Sequence, residues 1–149
     1  MREPVAGIRR SSPEDAPALL EIWRRAVDAT HDFLAPKDRQ AIDALLAEHY
    51  FPTCDLLVAV DKAGAPIAFL GGSGRTIDAL WVDPSVHGQG VGTCLLEEFA
   101  AGGAGTLEVD VNEQNHGVRQ FYEKRGFRVV GRSALDGEGR PYPLLRLAR

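Results

Sequence analysis

Ala16, Leu19, Leu20, Trp23, Ala26, Val27 and Thr30 recur at three- and four-residue steps, the spacing of one buried stripe along a helix. Just before them, Ser12-Pro-Glu-Asp15 supplies an N-cap serine, a proline at the first helical position and a capping-box acid. A helix is therefore predicted to start there and to end near Thr30, with Trp23 in the core. The short apolar-rich run at residues 5–10 comes ahead of it as a strand. After a link at residues 31–36, a second helix is predicted over residues 37–50, with Ile42, Leu45, Leu46 and His49 on one face and Pro52 as its stop.

Beyond Pro52 the period shortens to that of strands. Residues 56–60 and 67–70 form two apolar runs around the turn Asp61-Lys-Ala-Gly-Ala-Pro66, a hairpin, and Gly71-Gly-Ser-Gly74 is expected to break its second strand. Residues 76–82 form the next strand, followed by a glycine-rich turn and a helix over about residues 90–99. In residues 106–111 Leu107, Val109 and Val111 alternate with Glu108 and Asp110, so one side of that strand borders something polar. A short helix carrying Val118, Phe121 and Tyr122 closes at Gly126. Strands at residues 127–130 and 142–147 then flank the turn Asp136-Gly-Glu-Gly139. The order β-α-α-β-β-β-α-β-α-β-β predicts an α/β chain, a mixed sheet with helices on both faces.

The 149 residues suit a single domain, 1–149, without repeats or long linkers. A net charge of −4 disfavours nucleic acid or an anionic membrane as the main partner. Cys54 and Cys94 form no disulfide framework, and the start of the chain lacks an apolar signal core, so a cytoplasmic protein is expected. Cys94 shares a helical stripe with Val91 and Leu95 and is expected in the core. His31, His49, His87 and His116 show no metal-site spacing, so no metal is expected. Gly71-Gly-Ser-Gly-Arg75 has arginine where a serine-hydrolase elbow needs glycine.

The chemistry of the chain concentrates in Leu80-Trp-Val-Asp-Pro-Ser-Val-His-Gly-Gln-Gly-Val-Gly-Thr-Cys-Leu-Leu-Glu97, a strand, a glycine turn and the first turns of a helix. Gly88, Gly90 and Gly92 let backbone approach a ligand, and the helix start offers unpaired N–H groups and a positive dipole end, together a cradle for phosphate. Three glycines also make a tight turn for purely structural reasons. No P-loop lysine lies between Lys62 and Lys124, and the third glycine of a dinucleotide fingerprint counted from Gly88 falls on Thr93.

With that loop and with Asn115-His-Gly-Val-Arg-Gln-Phe-Tyr-Glu-Lys-Arg-Gly-Phe127, in this order and within this succession of elements, the chain resembles the GNAT superfamily of acetyl-CoA-dependent N-acetyltransferases. The family's Arg/Gln-x-x-Gly-x-Gly/Ala loop lands on His87, Gly90 and Gly92, with histidine in place of the usual arginine or glutamine. The resemblance implies that amides from Gln89 through Val91 to Thr93 hold the diphosphate of acetyl-CoA, beside Gly88. It further implies that backbone groups of Leu80 and Val82 meet the pantetheine arm, that Asn115 holds the coenzyme or orients the acid, and that Tyr122 is the general acid.

Acyl transfer from a thioester to an amine needs a neutral amine, an oxyanion donor and a proton for the thiolate. Deprotonating an amine of pKa near 10.4 at pH 7 costs roughly 4–5 kcal/mol, so a base or water chain is expected nearby. A phenol, protonated at neutral pH, suits the thiolate, although Tyr122 also continues the packing face of Val118 and Phe121. The backbone N–H of Val82 is the candidate oxyanion donor. Candidates for the acceptor side are Asp78, Glu108 and Asp110 on strands and His31 in the helix link, and each fits a solvated or structural role equally well. The expected activity is acetyl transfer to a primary amine of a small molecule or protein by a monomer or homodimer. The alternatives are a non-catalytic acyl-CoA sensor and a transferase of longer acyl groups.

Overall fold

The computed structural model describes residues 4–31 and 33–149. In chain order its elements are β1 (Gly7–Arg10), α1 (Ala16–Thr30), α2 (Pro36–Leu45), β2 (Leu57–Val60), β3 (Pro66–Ser73), β4 (Thr76–Val82), α3 (Val91–Ala101), β5 (Glu108–Asn112), α4 (His116–Glu123), β6 (Arg128–Ser133) and β7 (Leu144–Ala148). This is the α/β succession that the hydrophobic pattern predicts. The strands make one sheet ordered β1-β2-β3-β4-β5-β7-β6, antiparallel throughout except where β4 meets β5.

Alternation along the strands divides the apolar side chains between two cores. Val58 and Phe69 face one way and pack with Leu19, Ile22, Trp23 and Val27 of α1. Their neighbours Ala59, Ala68 and Leu70 face the other way, toward Val91, Leu95 and Leu96 of α3. Helices thus cover both faces, as period-two strands with apolar residues at nearly every position require.

The start of α1 is set by one carboxylate. The backbone N–H of Ser12 donates to Asp15 at 2.8 Å, and Arg9 donates to both oxygens of the same group at 2.8 and 2.9 Å. A tight 3₁₀ turn, Pro13–Asp15, therefore precedes the helix. The Arg9 guanidinium and the Ser12 amide together hold the Asp15 carboxyl down to about 2. The unfolded chain binds this proton more tightly than the folded one, so the contribution is present above about pH 4 and lost as pH falls toward 2. Asp15→Asn is expected to cost about 1–2 kcal/mol in urea unfolding at pH 7, discounted because the Arg9 side chain is 43% exposed. The two proteins should converge in stability near pH 2.

Several local expectations are corrected. Gly71, Gly72 and Ser73 do not break β3 but lie inside it, because tertiary packing requires glycine there. A Cβ on Gly71 would sit 2.6 Å from the Leu56 side chain, and one on Gly72 would sit 2.6 Å from the Phe99 ring. The second helix is α2 followed by a wider turn, Leu46–Tyr50, whose end is marked by the Phe51 N–H bonded to the Leu46 carbonyl at 2.9 Å. That widening changes the buried face. Ile42 and Leu46 still pack on the α1 core, but Leu45 is 48% exposed, His49 is exposed, and Phe51 takes the buried place. Cys94 is exposed, not in the core, because the inward positions of α3 are Val91, Leu95 and Leu96.

The sheet is open at its middle. β4 and β5 are paired only at Thr76 with Glu108 and at Ile77 with Val109. On its other edge, Gly71 of β3 lies opposite Ala79 and Gly72 opposite Ile77, leaving Asp78 as an extra, bulged residue. A bulge bends its strand, and beyond it β4 and β5 no longer pair. Among the described residues no helix is long and apolar enough to cross a membrane.

Candidate active site

The gap between β4 and β5 opens into a cleft of about 680 Å³. Its floor follows the unpaired edge of β4. The Asp83 N–H bonds the Ile67 carbonyl at 2.9 Å, and in an antiparallel ladder alternate residues bond the same partner. Trp81 and Ala79 accordingly face β3, and the peptide groups of Leu80 and Val82 face the cleft.

At the far end of β4, Asp83 fixes the turn into α3. Its carboxylate accepts from the Ser85 N–H at 3.1 Å and from Arg25 of α1 at 2.6 Å. The chain then passes Gly88 (φ 77°) and Gly90 (φ 83°), both in the left-handed region where a side chain would strain the backbone. The His87 N–H is used by the Pro84 carbonyl at 3.2 Å, whereas the N–H groups of residues 88–93 have no acceptor among the described residues. Gly92 permits close packing, since a Cβ there would lie 3.2 Å from the Phe121 ring. His87, Gly88, Gly90, Val91, Gly92 and Thr93 all line the cleft, and the side chain of Gln89 does not.

α4 supplies the opposite wall. Asn115 caps it, accepting the Val118 N–H on Oδ1 at 3.1 Å, while its buried Nδ2 has no partner among the described residues. A buried amide donor left unpaired costs about 1–3 kcal/mol, and Asn115 is one of the residues lining the cleft. Tyr122, two helical turns along the same face, is 3% exposed and also lines it. Burial raises its phenol above the ordinary tyrosine range.

Of the acceptor-side candidates, His31, Asp78 and Asp110 line the cleft and Glu108 does not. Arg146 of β7, opposite Asp110 in register, donates to Asp110 at 2.9 and 3.1 Å and to Glu108 at 3.3 Å. Asp78 has no ion pair among the described residues, and desolvation raises its carboxyl. The Thr30 hydroxyl donates to the Ala26 carbonyl at 2.8 Å and also lies 2.7 Å from His31 Nδ1. The imidazole also lies 5.2 Å from the Trp81 ring. No group of three or more His, Cys, Asp or Glu able to hold a metal occurs among the described residues.

Residues 52–129 match the family model for the acetyltransferase (GNAT) domain. The peptidyl-lysine N-acetyltransferase YjaB of Escherichia coli K12 is 46% identical over 144 residues, 97% of this chain and 97% of the relative. The chain belongs to the GNAT acetyltransferase family. The solution structure of apo YjaB from Escherichia coli superposes with a TM-score of 0.90, covering 95% of both chains. PaiA N-acetyltransferase of Thermoplasma acidophilum, solved with coenzyme A, shares the fold at 21% identity and TM-score 0.73, covering 94% of this chain and 96% of that one.

In this GNAT cleft the two ends differ in charge. Asp78 and Val82 are four residues apart on β4, about 13 Å by strand rise. Unpaired N–H groups gather past Val82 and carboxylates gather at Asp78. Trp81 and Arg125 are among the lining side chains that sequence reasoning missed. Trp81 reads as one more apolar residue of a strand, and Arg125 follows the helix that carries the acid, so only tertiary contacts bring them here.

Proposed function

We propose that this enzyme transfers the acetyl group of acetyl-CoA to the ε-amine of a lysine in a protein or peptide, with Tyr122 as general acid. The observation that carries it is one cleft holding both a row of amide donors without acceptors among the described residues and, about 13 Å away, the Asp78 carboxylate, which has no ion pair among them. The names of the curated relatives, peptidyl-lysine N-acetyltransferases, support lysine as the acceptor.

Acetyl-CoA fits the residues present. Its diphosphate suits the six N–H groups of residues 88–93, and its amide-rich arm suits both the free peptide edge at Leu80 and Val82 and the orphaned Asn115 Nδ2. The thioester supplies the activated acetyl group. Asp78, without an ion pair among the described residues and with a raised carboxyl, attracts the lysine ammonium and takes its proton directly or through water. The N–H of Val82 stabilises the developing oxyanion as a fixed donor. Tyr122 donates its proton to the departing sulfur.

Asn115→Asp separates the two jobs of that side chain. Aspartate caps a helix as well as asparagine does but lacks the Nδ2 donor. The variant is expected to keep its helix cap and a folded circular dichroism spectrum while losing tenfold or more in acetyl-CoA affinity by calorimetry, the effect of a lost hydrogen bond plus repulsion.

The activity itself is tested by incubating the protein with acetyl-CoA and a lysine peptide blocked at its N-terminus. Mass spectrometry should find acetyl on the lysine, and free thiol should appear only when peptide is present. Thiol release that ignores the amine would overturn the proposal. Propionyl- and succinyl-CoA as competitors define the acyl group.

A further inference from the structure

We propose that Arg125 is a phosphate-binding residue of this cleft, its guanidinium pairing with a phosphate of bound coenzyme A; this rests on the reading that the cleft takes that coenzyme. Arg125 follows α4, is half-buried and lines the cleft. Its Nε donates to Thr93 Oγ1 at 2.8 Å, its Nη1 donates to the Phe121 carbonyl at 2.7 Å, and its Cζ lies 3.8 Å from the centre of the Phe121 ring. These contacts fix the guanidinium plane without consuming it. An arginine carries five N–H donors, so three remain.

No carboxylate among the described residues neutralises the group. Arg9, Arg24, Arg25, Arg39 and Arg146 each pair with an acid, whereas Arg125 has no ion pair among the described residues. It is instead tethered to Thr93, in the first turn of α3, beside unpaired amides and at the positive end of that helix. A cation placed there is repelled by the helix dipole unless an anion joins them. The rigid fork matches a phosphate in two-point geometry, and a cation already held in place loses little side-chain freedom on binding. The single most consistent occupant of that corner is a phosphate group. Coenzyme A offers two sources, the diphosphate and the ribose 3′-phosphate.

The test compares wild type, Arg125→Gln and Arg125→Lys by calorimetric titration with coenzyme A and with 3′-dephospho-coenzyme A. Arg125→Gln is expected to weaken coenzyme A binding roughly tenfold or more, with Arg125→Lys in between. A loss seen equally with the dephospho compound assigns the arginine to the diphosphate, and a loss confined to coenzyme A assigns it to the 3′-phosphate. Turnover with S-acetylpantetheine, which has no phosphate, should fall less than turnover with acetyl-CoA. Unchanged coenzyme A affinity in Arg125→Gln overturns the proposal, as do equal losses with acetyl-CoA and S-acetylpantetheine, which mark a purely structural arginine. Wild type that binds none of these compounds would instead remove the parent reading of the cleft.

Discussion

Tyr122→Phe is expected to lower kcat with acetyl-CoA by about 10²–10³-fold while changing coenzyme A affinity by no more than about twofold, since general-acid catalysis contributes in that range. The substitution removes one oxygen from a side chain packed between Phe121 and Phe127, with ring centres at 5.1 Å on both sides, so the surrounding wall stays in place. Burial raises the phenol above its ordinary range, so it keeps its proton at neutral pH and well into alkali. The sign follows directly. Wild-type kcat should show no falling limb from this group below about pH 10, the ordinary tyrosine value. Steady-state rates across pH, alongside calorimetry on the variant, check both statements. A kcat unchanged by Tyr122→Phe would move the proton donor elsewhere.

Phe69→Ala is expected to destabilise the fold by about 3–5 kcal/mol, the cost typical of removing a buried phenylalanine. Phe69 is 1% exposed, meets Phe51 edge-to-face at 5.4 Å, and lies in the core shared by α1 and the wide turn after α2. Collapse into the space is limited, because Val58, opposite Phe69 on β2, is itself held in strand register. A domain of this size has a total stability of roughly 5–15 kcal/mol, so the loss is a large fraction of it. The melting temperature should drop by roughly 6–20 °C in differential scanning calorimetry. A shift near zero would mean that this face of the sheet does not carry the core drawn for it.

Much of this arrangement is legible in the sequence wherever one element decides its own fate. In the expected α1 stripe Leu19, Trp23, Ala26 and Val27 are buried as their spacing demands, while Thr30 at its end is exposed and Ile22 beside it is buried. The glycines at 88 and 90 announce a turn with positive φ, and the structure has it. What failed to show is what depends on a neighbour far along the chain. Gly71 and Gly72 look like strand breakers because the Leu56 and Phe99 side chains that demand their smallness lie in other elements. His49 fits a helical stripe until the helix widens at Leu46, and Leu45, the last residue of α2, lies on its exposed side. Glu108 looks like a candidate base, and only strand pairing shows Arg146 drawing it aside. The unpaired Nδ2 of Asn115 and the tethered Arg125 are likewise facts of three dimensions.

Main-chain N–H groups at the start of α3, helped by Asn115, are proposed to grip the coenzyme. Amide NMR during titration with acetyl-CoA is expected to show saturating shifts that are largest at the backbone amides of residues 88–93 and at the side-chain amide of Asn115. Saturation with those signals unmoved, or the largest shifts on α2 or β6, would contradict it.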